Sequence, residues 1–352
     1  TMAGDPISPG MVLVVNDKIK SVGQAIDLPE GGQEVDLGEG SVIMPGLVNA
    51  YSQTALAEGS GSEITDEITP DFKVTRAIDW SKDQLKRELL AGTTTMQVCP
   101  DTNNVISGIA AVIKTDPDQR IVITDDGPLV ASMCNDPASG NRSRARPDSI
   151  YVRQPTNRMG VVWLLRNAFN KASSNPELTK LDPVREALNG KRSMMMVSRL
   201  SHDLHTVGVL ADEFDFKPVI VGGQEAYKIK EILIERGYPI VLRPLATGST
   251  SGRERSEVCW NQAGLLSEAG LTFAITGDDL LEQARFAHRF GLAKQDALAA
   301  ITSSPAKLLG LEKSVGTLAP GSDADLLVLS GDPLELTTSI RMIVVNGKPI
   351  EI

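Results

Sequence analysis

PVIVGGQEAYKIKEILIERGYPIVL, residues 218–242, reads as one strand–helix–strand unit. Pro218 to Val221 is an unbroken apolar run ended by Gly222-Gly223, as expected of a strand covered on both faces. Ala226 to Arg236 has helical spacing, and Pro239 to Leu242 is a second buried strand, ending at Arg243-Pro244. Two strands joined through a helix can lie parallel in one sheet. The same alternation extends outward. Upstream, Met194 to Val197 is a strand and Val207 to Phe214 has helical spacing. Downstream, Trp260 to Ala269 is a helix, Leu271 to Ile275 a strand and Leu280 to Phe290 a helix, with further helices over Gln295 to Ile301 and Pro305 to Leu309. Nearer the start, Leu85 to Ala91 is helical, TTTMQVC (Thr93 to Cys99) is β-rich, Ile109 to Lys114 is apolar, and Ile121 to Thr124 is a short strand. A repeat of roughly 20–25 residues is the signature of parallel βα units. About six strands are legible, and a closed eight-stranded TIM-like (β/α)8 barrel is the natural completion. Residues 125–190, polar and rich in Arg, Asn and Pro, are expected to form long loops on one face.

The two ends of the chain look alike. MVLVVNDKIKSV (11–22) reads strand, Asn16-Asp17 turn, strand, and IRMIVVNGKPIEI (340–352) reads strand, Asn346-Gly347 turn, strand. Asn-Gly favours a type I′ hairpin because both residues tolerate positive φ. With the short strand in DLLVL (325–329), this predicts an α/β protein of two parts: a small composite β domain over 1–43 and 316–352, and a barrel over 44–315. The first residues, TMAGDPISPG, are turn-like and begin at Thr1, which suggests that something upstream has been removed; a leader is neither seen nor excluded.

Composition excludes several functions. The chain has 352 residues, 35 Lys+Arg against 45 Asp+Glu, and a net charge of −10, so it lacks the basic footprint of a nucleic-acid binder. Seven Phe, four Tyr and three Trp are too few for base-stacking platforms. No apolar run of about 18 residues is present to span a membrane. Cys99, Cys134 and Cys259 form no CxxC and cannot all pair, which fits a cytosol while leaving the compartment, cytoplasmic or extracytoplasmic, open. The three histidines, His202, His205 and His288, limit any chemistry that needs several imidazoles.

In a parallel barrel the reactive groups project from the C-terminal ends of the strands. The residues there are Tyr51, Ser52 and Gln53; Asp125 and Asp126; Arg199 and His202; Gly222 and Gly223; Arg243; and Asp278 and Asp279. Six segments in order, VIMPGLVNAYSQ (42–53), TPDFKVTRAID (69–79), AGTTTMQVCPDTNNVISG (91–108), RQPTNRMGVVWLLRNAF (153–169), VIVGGQEAYKI (219–229) and GTLAPGSDADLLVLSGDPLE (316–335), make the chain similar to the metal-dependent amidohydrolase superfamily, in the branch of imidazolonepropionase. The resemblance implies a (β/α)8 barrel with a small β-sandwich built from both termini. It also implies one or two divalent cations, held by a His-x-His after the first strand, a His after the fifth, a His after the sixth and an Asp after the eighth. Some members add a carboxylated Lys after the fourth strand.

Carried over residue by residue, those ligands are mostly gone. Tyr51-Ser52-Gln53 stands at the His-x-His, the fifth-strand window Val197 to Arg199 holds no imidazole, Gly222 stands at the sixth-strand His, and the Lys position falls near the apolar Val130. Asp278 alone persists, and a catalytic zinc uses about three protein ligands. The expectation is therefore a degenerate site with no cofactor, Zn²⁺ being the alternative. Other readings stay open beside it. His202 and His205, at i and i+3, could join Asp278 in a relocated metal site, or face solvent beside Asp203. Arg199 and Arg243 could form an internal network with Asp278, Asp125 and Asp126, or clamp a small anionic ligand, with Tyr51, Gln53 and Gly222 lining the pocket. Asp279 is read as the cap of the following helix and Asp278 as the inward residue, a candidate acid or base. Three functions follow: a binding or regulatory subunit, partnering an intact homologue; a hydrolase of C–N bonds in cyclic amides or related molecules with an unusual metal site; or a metal-free enzyme using Asp278, with Arg199 stabilising negative charge. The resemblance also suggests a homo-oligomer. A small molecule is the expected partner, with no nucleic acid and no membrane.

Overall fold

Four parallel strands follow one another in chain order, β10 (Met194–Ser198), β11 (Pro218–Gly222), β12 (Ile240–Leu242) and β13 (Phe273–Ile275), and every residue in them is buried. The computed structural model describes residues 1–63, 65–141, 154–243, 245, 257 and 259–351. Strand β9 (Leu129–Ser132) extends the sheet beyond β10, again parallel, with Met196 opposite Ala131. This strand lies inside the stretch expected to be loops, as do helices Arg158–Ser174 and Asp182–Leu188. Its four residues are too few to show a period amid polar neighbours. The long helix is started by Asn157, whose side chain accepts from the Gly160 N–H at 2.9 Å. The Arg-rich part of that stretch, 142–153, lies outside the described residues.

A second sheet carries β4 (Leu47–Ser52) and β5 (Thr93–Val98) in parallel. Between β5 and β9 the chain departs from the parallel pattern. β6 (Ile106–Ile109) pairs antiparallel with β9, and β7 (Ala111–Lys114) pairs antiparallel with β5. β7 returns beside β5 after residues 99–110, which include β6 of the other sheet. A short strand β8 (Val122–Thr124) then adds to the outside of β7. The far edges of the two sheets, β13 and β4, are tied by side chains: Thr276 Oγ1 donates to the Tyr51 carbonyl at 2.5 Å, and Asn49 Nδ2 to the Gly277 carbonyl at 3.1 Å. One apolar cluster draws on all of these segments in turn, with Ala50 and Tyr51, Cys99, Ala110, Val130, Met195 and Val197, Val219 and Val221, Val241 and Ala274. This cluster joins residues of both sheets. The fold is mixed α/β.

The chain ends meet in a separate antiparallel sheet, ordered β16 (Lys348–Ile350), β15 (Ile340–Val345), β14 (Leu326–Leu329) and β3 (Val42–Pro45). The hairpin of β1 (Met11–Val15) and β2 (Lys18–Gly23) packs on it through Ile19, Leu318, Ala324 and Leu326. Asn346 and Gly347 have φ of 49° and 74°, both left-handed as a type I′ turn requires. Among the described residues no helix is long and apolar enough to cross a membrane.

Candidate functional site

The C-terminal end of β4 supplies the densest polar cluster. Asn49, Tyr51 and Gln53 alternate along the chain and so project on one side. Asn49 is buried: its Oδ1 lies 2.6 Å from Thr276 Oγ1, whose one proton it shares with the Tyr51 carbonyl, and accepts from the Tyr51 N–H at 3.2 Å, and its Nδ2 donates to Gly277 O. Gln53 Nε2 donates to the Tyr51 hydroxyl at 3.3 Å and to the Pro100 carbonyl at 3.0 Å. The guanidinium of Arg243, at the end of β12, lies 5.9 Å from the centre of the Tyr51 ring, within cation–π range. Burial pushes the Tyr51 phenol well above its ordinary range, so it stays protonated. These side chains, with Asp278, line a cavity of about 150 Å³.

Beneath this cluster lies a buried carboxyl. Glu88, on helix Asp83–Leu90, is 2% exposed and accepts from Ser52 Oγ at 3.2 Å and from Asn49 Nδ2 at 3.5 Å. Burial, reinforced by the nearby charge of Asp278, pushes its pKa up to about 7 against the hydrogen bonds that favour ionisation. Asp278 is exposed at the rim of the cavity. Asp279 caps helix Leu280–Arg289, its Oδ1 accepting from the Glu282 N–H at 2.9 Å.

The other candidates are placed differently from the expectations. Arg199 is buried, but its partner is Asp136, which it grips with both terminal nitrogens at 2.7 and 2.5 Å while Thr102 Oγ1 donates to the same carboxylate. Burial pushes the Asp136 carboxyl up, yet Arg199 pulls it below the ordinary range. Asp125 pairs instead with Lys73 at 3.0 Å and Asp126 with Arg192 at 2.8 Å, so the expected network with those two acids is replaced by one with Asp136. Gly222 has φ +107°, and a Cβ there would sit 2.8 Å from the Ser198 carbonyl oxygen, so the position has no room for a ligating side chain. His202 and His205 are exposed on helix Ser201–Phe214, with His202 Nε2 3.5 Å from the buried Asp203, which Arg158 holds at 2.6 and 2.9 Å. The structure therefore does not unite His202, His205 and Asp278. The two histidines lie on the solvent side of their helix, and among the described residues no group of three or more His, Cys, Asp or Glu is placed to hold a metal. His288 sits at the end of helix Leu280–Arg289 with Nδ1 2.8 Å from the Leu292 carbonyl oxygen. Burial pushes the Cys99 thiol up to about 12, so it is no nucleophile near neutral pH.

Four residues of the site were missed: Asn49, Thr276, Glu88 and Asp136. Asn49 could have been found from its position two before Tyr51, and Glu88 from its place on an apolar helix face three residues after Leu85 and one before Leu89. Asp136 gives no local signal.

A family model described as the amidohydrolase family matches residues 272–350, which run from β13 through the terminal sheet. The crystal structure of an amidohydrolase from Thermotoga maritima MSB8 superposes with a TM-score of 0.87 and 28% identity, covering 97% of this chain and 94% of that one. The chain is amidohydrolase-like. A curated amidohydrolase, tasK of Hapsidospora irregularis, is 25% identical over 395 residues, covering 97% of this chain. The chain spans 39% of the length of that relative. A prolidase complexed with N-methylphosphonate-L-proline shares the fold at a TM-score of 0.60 and 14% identity, covering 97% of this chain and 94% of that one.

Proposed function

We propose that the chain is an amidohydrolase-like (β/α)8 barrel, residues 44–315, with a β-sandwich from 1–43 and 316–352, that binds a small polar molecule at the end of β4 without the family's divalent cation. The observation that carries this reading is the stacking of Arg243 on Tyr51 beside Gln53. A neutral phenol and an amide stand where the resemblance puts an imidazole pair, with the fixed cation of Arg243 beside them. Zinc takes imidazole, thiolate and carboxylate ligands, and this donor set does not suit it. Gly222, pressed against Ser198, adds none, and no histidine or cysteine lines the cavity. The barrel is supported by the apolar cluster shared by all its staves and by the β13–β4 side-chain ties.

What remains is a pocket with one cation, Arg243, one carboxylate, Asp278, and a protonated phenol. Such a pocket binds a small dipolar ligand, and a binding or regulatory role beside an active relative follows from it. Elemental analysis of the purified protein, paired with assays on cyclic amides and dipeptides with and without added Zn²⁺, tests this reading. The expected outcome is no stoichiometric zinc and no zinc-stimulated hydrolysis. About one Zn²⁺ per chain, the content of a catalytic site, overturns it.

A further inference from the structure

A second and larger cleft, of about 600 Å³, opens next to the polar pocket. Its lining includes Glu63, Asp71, Phe72, Lys73, Arg76 and Pro100. One wall is laid along β6: the Thr69 N–H donates to the Ile106 carbonyl at 2.8 Å, and the Ile109 N–H donates to the Phe72 carbonyl at 2.7 Å. Gly108 makes this possible. It has φ +129°, and a Cβ there would lie 2.4 Å from the Phe72 carbonyl oxygen. The opposite wall is pinned by the Asp101 N–H donating to the Gly61 carbonyl at 2.7 Å. Cleft and pocket are one hydrogen bond apart, because Pro100, in the cleft wall, accepts from Gln53, in the pocket wall. The volume falls inside the roughly 300–1,000 Å³ of small-ligand sites.

The charges in the cleft are unevenly used. Lys73 is paired with Asp125 at 3.0 Å, and Glu63 Oε1 accepts from both the N–H and the hydroxyl of Thr65 at 2.8 Å. Asp71 and Arg76 form no ion pair with any described residue. Between them in the chain, Phe72 leaves 49% of its surface to solvent. A carboxylate and a guanidinium without ion pairs among the described residues, the latter near enough to Asp125 to act on its charge, and an exposed ring thus line one cavity.

We propose that this cleft binds a small aromatic zwitterion, its ring against Phe72, its carboxylate on Arg76 and its ammonium on Asp71. L-phenylalanine, 3-phenylpropanoate and phenethylamine are the probes, the last two each lacking one charge, with affinity read by calorimetry on the whole chain. L-phenylalanine is expected to saturate, and the other two to bind about threefold to fivefold more weakly, the worth of one exposed ion pair. Asp71→Asn should lower L-phenylalanine to the level of 3-phenylpropanoate, Arg76→Gln to that of phenethylamine, and Phe72→Ala should weaken all three. These positions are exposed or line the cleft, and circular dichroism of each variant checks that it is folded. No saturable binding of L-phenylalanine, equal binding of the three probes, or indifference to Phe72→Ala overturns the proposal. Loss of binding in Arg243→Ala without loss in Phe72→Ala also overturns it, by placing the probe in the polar pocket instead.

Discussion

Lys114→Met tests how the terminal sheet is fastened to the rest of the molecule. Lys114 closes β7 with only 2% of its side chain exposed, and its Nζ lies 2.7 Å from both Asp323 Oδ2 and Asp325 Oδ2. The two acids precede β14, so this ammonium ties the inner sheets to the terminal one. Asp323 also holds Lys18 at 2.6 Å and keeps a cation when Lys114 is removed. Asp325, at 3% exposure, keeps only the Asn346 N–H at 2.9 Å and a long bond from Thr95 at 3.5 Å. One carboxylate, rather than two, is therefore stranded. Breaking a buried pair costs about 3–5 kcal/mol, mostly through the uncompensated charge left behind, and a single stranded group puts the expected loss at about 3–4 kcal/mol. Equilibrium urea unfolding at neutral pH, followed by circular dichroism, measures it. Lys114→Met/Asp325→Asn removes the stranded charge and keeps an acceptor for Asn346, so it should recover most of the loss. A single variant that loses less than about 1 kcal/mol, or a double variant no more stable than the single, refutes the reasoning.

Glu88 gives a pH dependence. Burial raises its pKa from the ordinary 4.5 to about 7, so the folded form holds a proton that the unfolded chain has released. This stability is complete below 4.5 and is lost as pH rises through about 7, by about 3 kcal/mol at about 1.4 kcal/mol per pH unit. Glu88→Gln stays neutral, so unfolding curves across this range should show the wild type falling relative to the variant as pH rises; parallel curves would sink the assignment. Gly222→Ala combines a φ of +107° with a contact 2.8 Å from the Ser198 carbonyl, and should cost at least about 1–2 kcal/mol in the same assay. Asp136→Asn removes the carboxylate that Arg199 grips bidentately; a loss of about 3 kcal/mol, relieved in Asp136→Asn/Arg199→Met, is the outcome that a structural pair predicts.

The legible parts of the fold are those whose information is local. The strands at 194, 218, 240 and 273 announce themselves as apolar runs, and the Asn346-Gly347 turn needs only two residues of context. What escaped is what depends on partners far along the chain. Strand β9 is four residues long and pairs with β10 and β6, while the antiparallel course of β6 and β7 is set by the distant strands they pair with. The site divides in the same way. Tyr51, Gln53, Arg243 and Asp278 line one pocket, as their places after successive strands suggest, whereas the Arg199–Asp136 pair joins residues 63 apart.

That pair changes the electrostatic argument for the pocket. Two arginines at strand ends two places apart in one sheet suggest a double clamp for an anion, which would need both guanidinium groups unsatisfied. Arg199 is bidentate to a carboxylate already ionised below its ordinary range, so its charge is cancelled within the protein. Arg243 forms no ion pair with any described residue and shares its cavity with Asp278. An incoming anion would meet one cation and one like charge, and the repulsion would offset much of the attraction at such short range. A ligand with separated positive and negative ends meets no such conflict. A dipolar molecule should therefore bind this pocket more tightly than a simple carboxylate of the same size, and Asp278→Asn should reverse that order. An unchanged order in that variant would show that Asp278 lies outside the ligand's reach.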